Sequence, residues 1–443
     1  MLKKLRFYSW LVKGIINRYQ KTIIIFFVVG IILVVVSVSL IPVIKSNFAS
    51  GHKVIGIVGT FSPSDLPLYI QRLISAGLVD IDETGKPVPV VAEKWEILDG
   101  GKTYKFYLRQ DLIWHDGQKF TSKDINYNLK DVEFVPLNDY QIEIKLKEPF
   151  VPLPNFLTRP LFRKNLVGLG SYKLLSVNLK AANITNLKLE RATAMADLPE
   201  LEYKFFASED IAKTAFKLGE VNVLYNMTNS EPFTNWPDIS IKENIQYDKS
   251  VAMFFNTSDG LLNVKEIRQA LGYAIEKPET NRVLTPLSTK SWAYTTRVKQ
   301  YDYDLNAAKD LLADQISSTS ALTLSTFEPH LPLAQRIASS WSKVGLETKV
   351  KVENGLPENF QAFLAIQDIP TDPDQYMFWH STQNESNITH YVNPKIDKLL
   401  EDGRKEVNYE KRKQIYFDLQ RYLVDDAPAV FLFHPTYYLI SRS

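Results

Sequence analysis

The stretch Val90–Leu129 reads VVAEKWEILDGGKTYKFYLRQDLIWHDGQKFTSKDINYNL and carries the strongest structural signals in the chain. Within it, in the segment KTYKFYLR, the apolar residues Tyr104, Phe106 and Leu108 alternate with polar neighbours. Successive side chains of a strand point to opposite faces, so this alternation predicts a half-buried strand at Lys102–Arg109. The stretch therefore builds one wall of a core rather than a helix or a linker.

The residues on the carboxyl side of this strand extend the same unit. Tyr140–Lys147 repeats the alternation and predicts a second half-buried strand. Between the two strands, Thr121 followed by Asp124 resembles a capping box that opens a short helix. The run Trp114–Gly117 is interpreted as a tight turn, in which the glycine supplies unusual backbone angles and the histidine is satisfied locally. A binding site at this turn is the alternative.

Elsewhere strands and helices alternate along the chain without an internal repeat, which indicates two α/β lobes. The periodicity predicts helices at Leu68–Leu78, Glu209–Leu218, Lys265–Glu276, Leu305–Leu312, Pro332–Val344 and Tyr409–Val424, and strands at Lys53–Val58, Val221–Leu224, Val251–Phe255, Leu346–Val352, Ala362–Ile366 and Ala429–Phe433.

The composition is that of a chain that buries large cores. It has 443 residues, of which 45% are hydrophobic and 23% charged, enough for two or three domains. The absence of cysteine excludes disulfides, thiolate zinc sites and cysteine nucleophiles. Residues 1–21 carry six Lys and Arg and no acid, so the rest of the chain has a net charge of −4. A mildly acidic body argues against nucleic acid as a partner.

Thr22–Ile44 is an uncharged, almost wholly apolar segment. A transmembrane helix needs about 20 such residues, and this run is longer than the apolar part of a signal peptide. The basic residues before it predict a cytoplasmic N-terminus, with everything after Lys45 outside the cell membrane. A cleaved signal peptide is the alternative, because Asn47–Ser50 offers small residues for cleavage.

Signatures of catalysis are not found in the sequence. There is no phosphate-binding loop, no dinucleotide-binding glycine motif and no nucleophile elbow. The six histidines include no i, i+4 pair on a predicted helix, so we expect no metal site, and no cofactor is implied. We therefore predict a protein that is not an enzyme; a membrane-anchored hydrolase would require a nucleophile beside a base.

Val90–Leu129 is similar to the signature stretch of family 5 extracellular solute-binding proteins, the oligopeptide-, dipeptide- and nickel-binding components of ABC importers. The resemblance continues in the same order to about residue 438. It is carried by Gly168–Lys173, Phe216–Asn222, Phe255–Asn256, Ile267–Leu271, Asp372–Asp374, Tyr391–Leu400 and Asp426–Pro428.

The resemblance implies a two-lobed periplasmic-binding-protein type II fold, preceded here by the transmembrane helix at 22–44. Lobe one is expected at 53–250, completed by 429–443, and lobe two at 251–428. The segment between Asp124 and Gly168 is shorter than in the family, so the family's extra subdomain should be reduced, at about 85–160.

The implied function is capture of an oligopeptide or a related small-molecule solute between the lobes, and its delivery to ABC permease subunits. We expect a monomer. The alternative is a surface-anchored interaction or chaperone-like protein that retains the fold without transport. An interlobe cleft that is filled, together with an exposed apolar patch, would favour this alternative.

Candidate ligand-binding residues lie on predicted loops and strand ends. In peptide-binding members an aspartate just before Asp-Pro-Asp holds the ligand's α-amino group, and Asp368 is the nearest acid here. Each candidate also has a structural alternative: a strand-end turn for Asn256, packing beneath a loop for Trp292 and Tyr294, and turn capping for the aspartates. The candidates are Thr60, Phe61, Asn256, Trp292, Tyr294, Asp368, Asp372, Asp374 and Trp379.

Overall fold

A computed structural model of the chain describes residues 52–192, 198–313, 315–316 and 321–442. The predicted membrane span at 22–44 and the basic segment at 1–21 lie outside the described residues. Within the described ranges, no helix is both long enough and apolar enough to span a bilayer.

The described elements alternate between strands and helices. The strands are β1 (His52–Val58), β2 (Val79–Ile81), β3 (Pro87–Pro89), β4 (Ala92–Leu98), β5 (Thr103–Leu108), β6 (Val132–Asn138), β7 (Gln141–Leu146), β8 (Tyr172–Lys180), β9 (Asn183–Arg191), β10 (Glu200–Phe206), β11 (Val223–Met227), β12 (Ile239–Ile245), β13 (Lys249–Phe255), β14 (Ala321–Thr326), β15 (Glu347–Val352), β16 (Ala362–Asp368), β17 (Ala429–Phe433) and β18 (Thr436–Arg442). The helices are α1 (Leu68–Ile74), α2 (Leu153–Phe156), α3 (Glu209–Lys217), α4 (Lys265–Tyr273), α5 (Leu305–Leu312), α6 (Leu331–Lys343), α7 (Tyr376–Trp379), α8 (Pro394–Lys405) and α9 (Tyr409–Asp426).

Two large sheets form the two lobes of the molecule. The seven-stranded lobe has the order β12-β18-β11-β1-β10-β9-β8, and the five-stranded lobe has the order β15-β14-β16-β13-β17. In the five-stranded lobe, β13 is buried from Ser250 to Phe255, because α4, α5 and α6 pack on one face of the sheet and α8 and α9 on the other. A strand covered on both faces reads as a continuous apolar run, as Val251–Phe255 does.

The signature stretch contributes β4 and β5 to a separate small subdomain, the antiparallel sheet β4-β5-β7-β6. Its inward-facing residues Tyr104, Phe106, Ile142 and Ile144 are fully buried, which confirms both strands predicted from alternation. The capping box is also confirmed, as a single 3₁₀ turn at Ser122–Asp124. The histidine of the turn Trp114–Gly117 was predicted to be satisfied locally, but it contacts backbone 55 residues further along the chain, with Nε2 2.9 Å from the carbonyl oxygen of Gly170. The turn is therefore structural.

The chain crosses between the lobes twice. The first crossing is 246–248, between β12 and β13, and the second is 434–435, between β17 and β18. Residues 429–433 were predicted to complete lobe one, but as β17 they pair with β13 in the five-stranded lobe. Their apolar side chains need burial on both faces, so only β18 continues into the other sheet.

His434 ties the two crossings together. It is 1% exposed, and its Nδ1 lies 2.6 Å from the carbonyl oxygen of Lys249, at the start of β13. That carbonyl can only accept, so Nδ1 carries the proton and Nε2 accepts from Thr289, whose N and Oγ1 lie at 3.3 and 3.0 Å. A neutral imidazole thus satisfies both contacts. Burial lowers the pKa of His434.

We predict that acid destabilises the protein through this imidazole. In the unfolded chain a histidine takes up a proton near pH 6.5, whereas folded His434 takes it up only at lower pH. Below about pH 6.5 the unfolded state therefore binds more protons, and the free energy of unfolding falls as the pH falls. His434→Gln keeps a donor and an acceptor but does not titrate. Urea unfolding should therefore show that the free energy of unfolding falls less between pH 7.5 and pH 5.5 in this variant than in the wild type.

His330 is a second histidine whose pKa is lowered by burial. The same measurement on His330→Gln therefore separates the effect of His434, in the second crossing, from the effect of a buried histidine elsewhere. An identical loss of stability in the wild type and in His434→Gln would contradict the assignment.

Candidate functional site

The crossings bring the carboxyl ends of two sets of parallel strands together. In the seven-stranded lobe β1 runs parallel to β10 and β11, and in the five-stranded lobe β14 runs parallel to β15 and β16. The last residue of β16, Asp368, pairs in register with Lys249 beside the first crossing. Ligands of open α/β sheets bind outside the carboxyl ends of the strands, so this edge is the candidate site.

A first cavity, of about 390 Å³, lies here between the two lobes. We call it the interlobe cavity. It is lined by the turn between β2 and β3 (Ile81, Asp82, Glu83 and Gly85), the first crossing (Tyr247 and Asp248), the loop residues Ser288, Lys290 and Ser291, and the segment Ile369, Pro370 and Thr371. Its volume is within the range of small-molecule sites.

A second cavity, of about 560 Å³, adjoins the first one at Ile369 and Pro370, which line both. We call it the aromatic pocket. Its walls are Phe254, Phe327, Leu356, Phe363, Ala365, Ile366, Gln367, Asp368, Ile369, Pro370, Met377, Phe378, Trp379, Ser386, Ile388 and Thr389. Together the two cavities provide a polar compartment and an apolar compartment in contact with each other.

Two of the predicted site residues line the aromatic pocket. Asp368 is at its rim, with the side chain 80% exposed and paired with the ammonium group of Lys249. Trp379 is buried, and its indole N–H donates to Gln375 Oε1 at 3.3 Å, so the ring alone is available to a ligand. Whether either residue binds the solute stays a prediction.

Asp372 and Asp374 lie in the interior of the five-stranded lobe. Arg412 holds Asp372 through two hydrogen bonds of 2.6 and 2.9 Å, and Arg404 Nε donates to Asp374 Oδ2 at 2.9 Å. Burial opposes the charge of Arg412, but the neighbouring Asp372 carboxylate holds the pKa of the Arg412 guanidinium above its usual value. Burial raises the pKa of Asp374. These ion pairs fix the segment after β16 to α8 and α9. Each aspartate also accepts from the backbone N–H two residues on, which favours the turn capping that was the structural alternative.

Trp292, Tyr294 and Asn256 likewise make internal contacts. Trp292 stacks on Tyr409 with ring centroids 4.7 Å apart, and the hydroxyl oxygen of Tyr294 accepts from the backbone N–H of Leu284 at 3.3 Å. Asn256 was expected where the chain crosses between the lobes. It lies instead at the opposite end of β13, because all of Lys249–Phe255 pairs within the five-stranded sheet. There its Nδ2 donates to a backbone carbonyl.

Thr60 and Phe61 follow the carboxyl end of β1. Thr60 is exposed, and Phe61 packs against Phe205 with ring centroids 5.4 Å apart. Neither residue lines either cavity. Their role in binding stays a prediction that rests on their position at the correct edge of the sheet.

The two lobes also contact each other through residues outside the crossings. The N–H of Trp292 donates to Thr84 O at 3.0 Å, and the N–H of Val151 donates to Arg404 O at 2.8 Å. Gly85 has φ +85°, and a Cβ there would lie 2.6 Å from the carbonyl oxygen of Thr371. The turn between β2 and β3 thus needs a glycine for its backbone angle and for its approach to the other lobe.

Sequence reasoning missed most of the cavity lining. Tyr247, Asp248, Lys290, Phe327 and Gln367 were not singled out, because they come from four separate segments that only the fold assembles. The one available signal was Asp82–Gly85, since Asp-x-x-Gly between two short strands is typical of a turn. Within the described ranges, no group of three or more His, Asp or Glu side chains is placed to hold a metal ion.

We predict that Gly85→Ala holds the lobes apart, because its Cβ would collide with Thr371. Gly117→Ala is the matched control: its φ of +83° imposes the same backbone strain, but no atom lies within 4 Å of the new methyl group. A donor–acceptor dye pair on Lys123→Cys and Lys398→Cys, in a chain without native cysteine, should report lower energy transfer in Gly85→Ala alone. Equal transfer in both glycine variants would contradict an interlobe contact at this turn.

We also predict that Asp372→Asn lowers the free energy of unfolding by about 3 kcal/mol, because it leaves the Arg412 guanidinium buried without a counter-charge. Asp418→Asn removes an exposed pair with Arg421 and should cost less than about 1 kcal/mol. Chemical denaturation of both variants measures the difference. Equal losses of unfolding free energy would show that the buried pair adds no more to stability than the exposed pair does.

Residues 86–133 and 126–387 match the family model of bacterial extracellular solute-binding proteins, family 5 Middle. The oligopeptide-binding protein AppA of Bacillus subtilis is 22% identical, over 87% of this chain and 86% of that protein. The dipeptide-binding protein of Escherichia coli is 23% identical over 85% of each. The structure of the substrate-binding protein CtaP of Listeria monocytogenes superposes with a TM-score of 0.76 at 20% identity, over 89% of this chain and 94% of CtaP.

The family match spans most of the described chain, and the fold of α/β lobes agrees with that of periplasmic binding proteins. The resemblance inferred from the sequence is thereby confirmed. The chain belongs to the family 5 bacterial extracellular solute-binding proteins, which are binding proteins and not enzymes.

Proposed function

We propose that this chain captures peptides for an ABC importer and holds them in the interlobe cavity and in the aromatic pocket that adjoins it. The observation that carries the proposal is the position of the interlobe cavity, whose walls come from both lobes and from the first crossing. A ligand that contacts both lobes stabilises their closed arrangement, which is how hinged binding proteins capture a solute without turnover.

The polar lining of the interlobe cavity suits the two ends of a peptide. Asp82, Glu83 and Asp248 provide carboxylates for an α-amino group, and Lys290 provides a cation for a carboxylate. Relatives support the same class of solute: AppA of Bacillus subtilis has been solved with a nonapeptide and DppA of Helicobacter pylori with the peptide STSA. The two cavities are open, so we do not favour an interaction protein with a filled cleft.

We also propose that Thr22–Ile44 anchors the protein in the cell membrane, with residues 1–21 cytoplasmic and the body outside, where it meets the permease subunits. Support comes from the length of the uncharged run and the basic residues before it. Resistance of the protein to alkaline extraction from membranes, with digestion of the body by protease added to intact cells, is the expected result. A mature N-terminus after residue 44 would favour the cleaved signal peptide.

Peptide binding is tested on the full chain in mild detergent, by native mass spectrometry and calorimetric titration with a mixed tripeptide pool. We expect bound peptides and a saturable heat. Lys290→Met should weaken binding about 10-fold, the size of one lost charge-assisted hydrogen bond, because the peptide carboxylate loses its cation.

Lys242→Met is the control, because Lys242 is exposed on β12 and lines neither cavity. A ligand-free mass together with the absence of heat from any peptide would refute the proposal.

A further inference from the structure

We infer that the aromatic pocket selects a peptide side chain that combines an aromatic ring with a neutral hydrogen-bond donor, which means tyrosine or tryptophan. The inference rests on the proposed function, since it specifies which peptides the site prefers. It is carried by the pocket's ring-lined walls, by one unpartnered acceptor on its floor and by the distribution of charge around it.

The walls favour a ring. Phe254, Phe327, Phe363, Phe378 and Trp379 line the pocket, and aromatic pairs stabilise one another through edge-to-face and offset contacts. At the mouth, Leu356 is 63% exposed and Met377 48% exposed. A large apolar group that covered them would gain from removal of that surface from water.

The floor offers one hydrogen-bond acceptor. Gln367 follows Phe363 and Ala365 at alternate positions of β16, so its side chain lies on the same face as these two pocket residues. Its Oε1 is buried without a partner, and so is the hydroxyl of Ser250, opposite it in register on β13. The indole N–H of Trp379 is already bonded to Gln375. The oxygen is covered by protein in this structure, so a ligand donor would reach it through rotation of the Gln367 side chain and would then satisfy an acceptor that has no partner within the protein.

The charges exclude an ionised side chain. Of the residues that line the pocket, Asp368 alone is ionisable, and its carboxylate is at the rim and paired with Lys249. A lysine or arginine head group at the floor would be buried without a counter-charge, and a carboxylate would meet no cation. A phenol or an indole carries its donor without a charge and matches both the walls and the floor.

Two matched ligand pairs test the inference on the wild-type full chain. Calorimetry with alanine tripeptides that carry tyrosine or phenylalanine at each position in turn should show, at one position, about fivefold tighter binding of tyrosine. Tryptophan should likewise exceed 1-methyltryptophan, which lacks the donor. These ligand-side comparisons need no variant and hold even if substitution of the pocket floor disturbs folding.

Gln367→Leu should remove the preference for tyrosine and leave the affinity for phenylalanine peptides unchanged. Gln335→Leu, at an exposed position of α6, should retain the preference. Equal affinity for tyrosine and phenylalanine at every position, or tightest binding of lysine, would overturn the inference while leaving peptide capture intact. Failure of all peptides to bind would instead refute the proposed function.

Discussion

The hydrogen bonds of one buried imidazole connect the segments on which the geometry of the cleft depends. His434 is in the second crossing, bonds to the first residue of β13 beside the first crossing, and accepts from the loop that carries Lys290. The backbone N–H of Gln246 adds a bond of 2.9 Å to the carbonyl oxygen of Pro435. Two short crossings bonded side by side restrict sliding of the lobes, whereas rotation about them requires change in only a few backbone angles.

Buried ion pairs fix the other wall of the cleft. The segment after β16 has no regular structure until α7, and Asp372 and Asp374 bind it to arginines of α9 and α8. Arg404 in turn lies over the ring of Phe150 in the small subdomain, 5.4 Å from its centroid. The same contacts that hold Ile369–Thr371 in the cavity wall therefore also reach the opposite lobe. The sequence suggested the carboxylates of Asp372 and Asp374 as ligand groups. In the structure they position the cavity wall.

Local patterns determined which parts of the fold could be predicted. Alternation identified β5 and β7, and periodicity identified α5 at Leu305–Leu312, because such signals depend on neighbours in the chain. The choice of sheet for β17 depends on which strand it pairs with, and no local pattern encodes that partner. The cavity residues likewise come from distant segments. The sequence indicates only that Gln367 is a strand residue. The fold is needed to show that its amide oxygen has no hydrogen-bond partner.

In the proposed mode of binding, the two cavities would recognise different parts of a variable solute. Polar groups around the first crossing can recognise the backbone ends that all peptides share, while the aromatic pocket lies wholly within the five-stranded lobe. A side chain in that pocket gains contacts whether the lobes are open or closed, so it adds affinity without favouring closure. Only the groups that bridge both lobes drive closure. In the proposed mode of binding, selection of the side chain and capture of the peptide would thus be physically separate steps.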